Sequence, residues 1–170
     1  MIRHCTLFLC FFIFTTGVLV PVQANAQKKN THKIYHMPPG KIADYIKQKK
    51  GQRKVVVRYA SWCPACRNVM PKLMDIERVK KGSVIAIATD EHHGEFARYI
   101  NRFGRIPFPV ILVRPFKNES LTSALSQFGI VNRGYIPDMA LLDEENKIVR
   151  QGSFKAEEVA AFIFQREEKK

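Results

Sequence analysis

A run of β-branched residues that ends in two closely spaced cysteines constrains this chain more than any other feature. Lys54-Val55-Val56-Val57-Arg58-Tyr59-Ala60 has the composition of a buried strand. Ser61-Trp62-Cys63-Pro64-Ala65-Cys66 follows at once, and from Arg67 to Val79 the residues Val69, Leu73 and Ile76 recur at helical spacing. Cys63 therefore falls where a strand hands over to a helix. Backbone N–H groups at a helix start lack partners, and the helix dipole favours negative charge there. Such a place stabilises the thiolate, which is the nucleophilic form of cysteine. Cys66 lies one turn further on and is expected to be the less exposed thiol. Pro64 suits the first helical position, where its missing N–H costs nothing. Trp62 admits two readings, a cover over the pair on a substrate-facing surface or a core tryptophan. Pro71 falls inside the helix and is expected to kink it.

The start of the chain bears on what those cysteines are for. Met1-Ile2-Arg3-His4 is short and basic, Leu7 to Val20 is largely apolar, and Ala24-Asn25-Ala26 supplies a small-x-small cleavage pattern. This is the layout of a secretory leader over residues 1–26. Thr15, Thr16 and Gly17 interrupt the apolar run, which falls short of the ~20 residues of a good spanning helix. A leader that is removed is the first expectation, and a retained anchor the second. Of the 4 cysteines, Cys5 and Cys10 belong to this leader. The pair that remains closes almost no loop, so it restricts the unfolded chain little. Its purpose is expected to be chemical. The export context also suits disulfide chemistry.

The formal charge of +13 points to an acidic partner, nucleic acid or a membrane surface. The basic residues fall in short runs such as Lys28-Lys29, Lys47-Gln48-Lys49-Lys50 and Lys80-Lys81, at helix ends and in linkers. No stacking-aromatic motif accompanies them, so nucleic acid is not expected. Peripheral contact with anionic headgroups fits the charge better.

The order of elements is α/β. Residues 27–40 read as a flexible lead-in that ends in Pro38-Pro39-Gly40, and 41–170 as one domain. Lys41 to Lys50 suggests a helix, Ser83 to Ala88 a strand, and Glu95 to Phe103 a helix with Phe96, Tyr99 and Ile100 inward. Phe108 to Val113 reads as extended and Leu121 to Phe128 as a short helix. Asp138 to Leu142 and Lys147 to Arg150 make a hairpin, and Ala156 to Phe164 a closing helix. Such alternation implies a mixed sheet with helices on both faces.

A Cys-x-x-Cys pair is also half of a structural zinc site, which needs two further ligands. The nearest histidines, His92-His93, read better as a solvated loop. Copper held by Cys63, Cys66 and a histidine or methionine stays open as an alternative.

The segment Val55 to Cys66, with Pro71 five residues after the second cysteine, resembles the thioredoxin active-site segment. Tyr135-Ile136-Pro137 resembles the cis-proline element of that superfamily, leading into the terminal hairpin. Thr89-Asp90-Glu91, the helix ending near Phe103, the strand Phe108 to Val113 and the helix Leu121 to Gly129 resemble the insertion of TlpA/DsbE-type proteins. The resemblance implies a thioredoxin-like α/β fold with a TlpA-type insertion, in an extracytoplasmic thiol–disulfide oxidoreductase. It implies Cys63 and Cys66 as the catalytic pair, with Trp62, Pro64, Ala65, Ile136 and Pro137 supporting them. No cofactor and no metal is expected. Partners would be exported proteins bearing disulfides or dithiols, and an upstream membrane or periplasmic redox donor. Two positions depart from the pattern. Val57 stands where thioredoxins hold a buried Asp, and the order Pro64-Ala65 differs from the reducing members that place Pro before the second cysteine. A reductant is the first expectation, with a DsbA-like oxidant or a copper-delivery module as alternatives.

Overall fold

The central strand is the β-branched run itself. In the computed structural model, which describes residues 32–165, all six residues of β2 (Lys54–Tyr59) are buried. The leader expected over residues 1–26, with Cys5 and Cys10, lies outside the described residues. Around β2 the chain builds a six-stranded sheet from β1 (Ile34–Met37), β3 (Val84–Ala88), β4 (Val110–Val113), β5 (Asp138–Leu142) and β6 (Ile148–Gly152). Their order is β1-β4-β3-β2-β5-β6. The first four run parallel, while β5 is antiparallel to β2 and β6 to β5. Mixed pairing of this kind follows from helical crossovers on one side and a hairpin on the other.

Among the described residues, five helices cover both faces: α1 (Pro39–Lys47), α2 (Pro64–Val79), α3 (His93–Ile100), α4 (Leu121–Ser126) and α5 (Ala156–Phe164). Alternate residues of β2 serve opposite faces. Val55, Val57 and Tyr59 meet Met70, Leu73, Phe96, Ile100, Val159 and Ile163 from α2, α3 and α5. Val56 meets Ile42, Ile46 and Leu125 from α1 and α4. Each large apolar side chain buried in this way contributes about 1.5–3 kcal/mol relative to exposure. The fold is thus the expected thioredoxin-like α/β sheet; α3, β4 and α4 occupy the stretch where an insertion was expected, and β4 lies between β3 and β1.

The lead-in differs from its expectation. Ile34–Met37 is a strand paired in parallel with Val110–Val113. Its middle residues Tyr35 and His36 are exposed and its ends half-buried. That is how a polar segment serves as a sheet edge. Pro38-Pro39-Gly40 opens structure instead of stopping it: Pro38 is the extended N-cap and Pro39 the first helical residue. Further along, β4 starts at Val110 and not at Phe108, because Pro109 has no N–H to give a strand paired on both sides. His92 and His93 are exposed, but they form the N-cap and first residue of α3, and His93 stacks on His36 at 4.8 Å. Helix α2 runs on through Pro71.

Candidate active site

The cysteines sit where two local rules meet. Strand β2 ends at Tyr59, and Cys63 is the N-cap of α2, with extended backbone (φ −79°, ψ 115°) and Pro64 directly after it. Its Sγ accepts a hydrogen bond from the backbone N–H of Cys66 at 3.2 Å. That donor is one of the unpaired N–H groups of the first helical turn. In the reduced protein it would stabilise a Cys63 thiolate. Cys63 and Cys66 are joined as a disulfide with Cα atoms 5.2 Å apart. Cys63 is 4% exposed and Cys66 0%, matching the order expected from their places on the helix.

The Ile136–Pro137 bond is cis, and the carbonyl oxygen of Ile136 lies 3.6 Å from Cys63 Sγ. Pro137 is buried and Ile136 half-buried beside the α2 face of the core. Pro64 and Ala65 are exposed. Trp62 is 62% exposed, which decides between its two readings in favour of the surface. All seven residues singled out in the sequence therefore gather at one end of the sheet.

Three sets of side chains that were not expected at the site hold this end together. Asp90, just past β3, accepts hydrogen bonds from the Ser61 N–H at 3.0 Å and from the Ser61 hydroxyl. Thr89 adds two bonds to the Tyr59 carbonyl, from its N–H at 2.9 Å and from its hydroxyl at 3.2 Å. Arg67 Nε closes the loop from the helix side, donating to the Ser61 carbonyl at 2.6 Å. The turn carrying Cys63 is thus tied to β3 and to α2. Tyr99 lies by the same group. Burial, with the nearby Asp90 carboxylate, pushes its hydroxyl up to about 12 despite the opposing Arg67 charge. Burial likewise pushes Tyr59 up, with Tyr99 and Asp90 adding to the effect.

The third set fastens the cis-proline loop. Arg58 of β2 and Asp138 of β5 are paired in register and form a buried ion pair through Nη2 and Oδ2. Arg58 Nη1 also reaches Asn132 Oδ1 at 3.2 Å, and Gln151 Nε2 donates to Asp138 Oδ2 at 2.9 Å. Gln151 exchanges two further bonds with the backbone of Val131. The loop from Val131 to Pro137 is thereby pinned to β2 and β6. One signal was available in the sequence: a lone arginine inside a β-branched run requires a buried anion.

A dithiol at a helix N-terminus, faced by a cis-proline loop at the same end of a mixed sheet, defines the thioredoxin-like class of protein. Comparison with known proteins agrees. The chain belongs to the Redoxin family, which is matched over residues 42–160. Tryparedoxin of Trypanosoma brucei brucei is 34% identical over 76 residues, 42% of this chain and 49% of that protein. The chain thus matches about half the length of that relative. Among solved structures, a thioredoxin-family thiol:disulfide interchange protein from Chlorobium tepidum TLS is 20% identical, with a TM-score of 0.54 over 68% of this chain and 80% of its own. A thiol:disulfide interchange protein from Bacteroides sp. is 19% identical, with a TM-score of 0.51 over 72% of this chain and 80% of its own. Similarity at that level establishes the shared fold. Among the described residues, no helix is long and apolar enough to cross a membrane.

Proposed function

We propose that this protein is an exported protein thiol–disulfide oxidoreductase that works through Cys63 and Cys66, chiefly as a reductant. One observation carries the reading: Cys63 caps α2 with its sulfur on the Cys66 N–H, within 3.6 Å of the Ile136 carbonyl. The Cys63 thiolate attacks one sulfur of a substrate disulfide, forming a mixed disulfide and expelling the other sulfur as a thiolate. Cys66 then attacks Cys63 Sγ, which closes the Cys63–Cys66 disulfide and releases the second substrate thiol. Two electrons pass from the protein to the substrate. Run in reverse, the same steps oxidise a dithiol. The half-buried Ile136 backbone offers hydrogen bonds to an extended substrate segment beside Cys63. Trp62, Pro64 and Ala65 form the exposed rim that such a segment would cross.

The family and the solved neighbours named above support the exchange chemistry, and the leader pattern of residues 1–26 supports export. Substrates on this reading are exported proteins with disulfides, and a membrane or periplasmic donor restores the dithiol. Among the described residues, no group of three or more His, Cys, Asp or Glu is placed to hold a metal ion, so copper delivery would require a methionine beside the cysteines. Direction is tested by the equilibrium reduction potential in a glutathione or dithiothreitol series. A reductant is expected near thioredoxin's potential of about −270 mV. A value near the oxidant DsbA's, about −120 mV, would reverse the assignment.

A further inference from the structure

We infer that the cleft beside Trp62 recognises acidic side chains flanking the disulfide of a polypeptide substrate, an inference that rests on the exchange reading above. The cleft has a volume of about 180 Å³ and is lined by Trp62, Arg67, Glu95, Arg98, Tyr99 and Arg102, together with Ser61. Three arginines therefore face one glutamate. Glu95 reaches Arg98 only at 4.0 Å, with both side chains well exposed, so it neutralises the cluster weakly. Among the described residues, neither Arg67 nor Arg102 has a carboxylate partner. Arg67 is nevertheless held in place, because its Nε is bonded to the Ser61 carbonyl in the loop that carries Cys63. Across the site, Arg133 stacks on exposed Tyr135 at 5.6 Å in the segment leading to Ile136.

Guanidinium groups grip carboxylates through paired N–H donors, and a cluster of them beside a reactive atom raises the local concentration of anionic partners. The volume fits a side chain and falls below the ~300–1,000 Å³ typical of a small-molecule site. Trp62 supplies an apolar face next to the charge, as protein–protein contacts favour. The site thus suits a chain that lays its disulfide on Cys63 and its acidic flank on α3.

The full-length protein, reduced with dithiothreitol and desalted, is mixed with three peptides. Each has one cysteine joined to thionitrobenzoate as a mixed disulfide, flanked by glutamates, glutamines or lysines. In one turnover the protein dithiol becomes the Cys63–Cys66 disulfide, and peptide and thionitrobenzoate both leave as thiolates. Each rate is divided by the same peptide's rate with dithiothreitol, which removes intrinsic reactivity. At low ionic strength the glutamate peptide should react about tenfold faster than the lysine peptide, and the preference should shrink at high salt. Arg98→Gln/Arg102→Gln should reduce it and Arg98→Glu/Arg102→Glu abolish it. Lys47→Glu/Lys50→Glu, with the same net charge change near the β5–β6 turn, should retain it. A ratio near one, or a preference lost only in the Lys47/Lys50 pair, would overturn the inference. Oxidised glutathione outpacing the glutamate peptide would overturn its polypeptide part. If no peptide is reduced at all, the exchange reading fails and takes this inference with it.

Discussion

Strand β2 carries a buried cation at each end of the same face, and the two are treated differently. At the far end, Lys54 is 0% exposed and meets only neutral groups, Asn146 Oδ1 at 2.7 Å and the Asp143 carbonyl at 3.2 Å. Burial lowers its ammonium to about 8, although Asp143, Glu144 and Glu145 pull the other way. At the dithiol end, Arg58 meets the Asp138 carboxylate directly. The strand thus tolerates an incompletely compensated charge where it anchors the β5–β6 turn. Where it positions the loop of Ile136 and Pro137, it sets a carboxylate against the cation and carries Arg58 Nη1 on to Asn132, leaving Arg58 Nε and Asp138 Oδ1 without partners among the described residues. A planar guanidinium can reach Asp138 and Asn132 at once, and a lysine would bring a single point charge to the same place.

The largest test of this contrast is Asp138→Ala. It strands Arg58 in the interior, and breaking a buried pair costs about 3–5 kcal/mol. Urea unfolding should show that loss. Thiol–disulfide exchange should fall too, because the loop facing Cys63 loses its tether to β2. A variant with wild-type exchange rates would separate the ion pair from the site.

At the other end, Asn146→Gly removes one of the two acceptors of Lys54, together with the Nδ2 donor to the Ile46 carbonyl, while keeping a residue suited to the left-handed backbone there (φ 67°). A bond to a charged group of this kind is worth about 1.5–3 kcal/mol, so the loss should be smaller. Exchange rates should not change. A fall in exchange comparable to that of Asp138→Ala would erase the distinction between the two ends.

The smallest effect is in the pH profile. Because the folded protein holds Lys54 at about 8, below its ordinary 10.5, the unfolded chain binds more protons at this site between those values. The unfavourable contribution of Lys54 is complete below pH 8 and is relieved as pH rises through that window. Stability measured from pH 7 to 10 should therefore rise relative to Lys54→Met. The raised hydroxyls of Tyr59 and Tyr99 oppose this only above about pH 10, and they are common to both proteins. Parallel profiles for the two proteins would show that Lys54 is not desolvated.

Much of this was written locally in the chain. The β-branched run, the helical spacing after Cys66 and the Pro137-to-Leu142 segment each announce themselves within a dozen residues. The central strand and the dithiol turn were legible for that reason, whereas the cis-proline element was legible only through the resemblance of Tyr135-Ile136-Pro137 to a known superfamily. Strand β1 was not, because a four-residue edge strand with an exposed middle resembles a loop until β4 is beside it. The partners Arg58–Asp138 and Ser61–Asp90 were hidden too. They are 80 and 29 residues apart, and sheet register alone brings them together. The surface place of Trp62 likewise depends on what already fills the core around Tyr59 and Phe96.

The central claim is that Cys63 attacks and Cys66 resolves. Reduced Cys66→Ser protein, mixed with a disulfide-bearing substrate such as insulin, should accumulate a mixed disulfide. Peptide mapping by mass spectrometry should locate it on Cys63, and Cys63→Ser should neither form an adduct at Cys66 nor reduce the substrate. An adduct on Cys66, or substrate reduction by Cys63→Ser at the wild-type rate, would contradict the account.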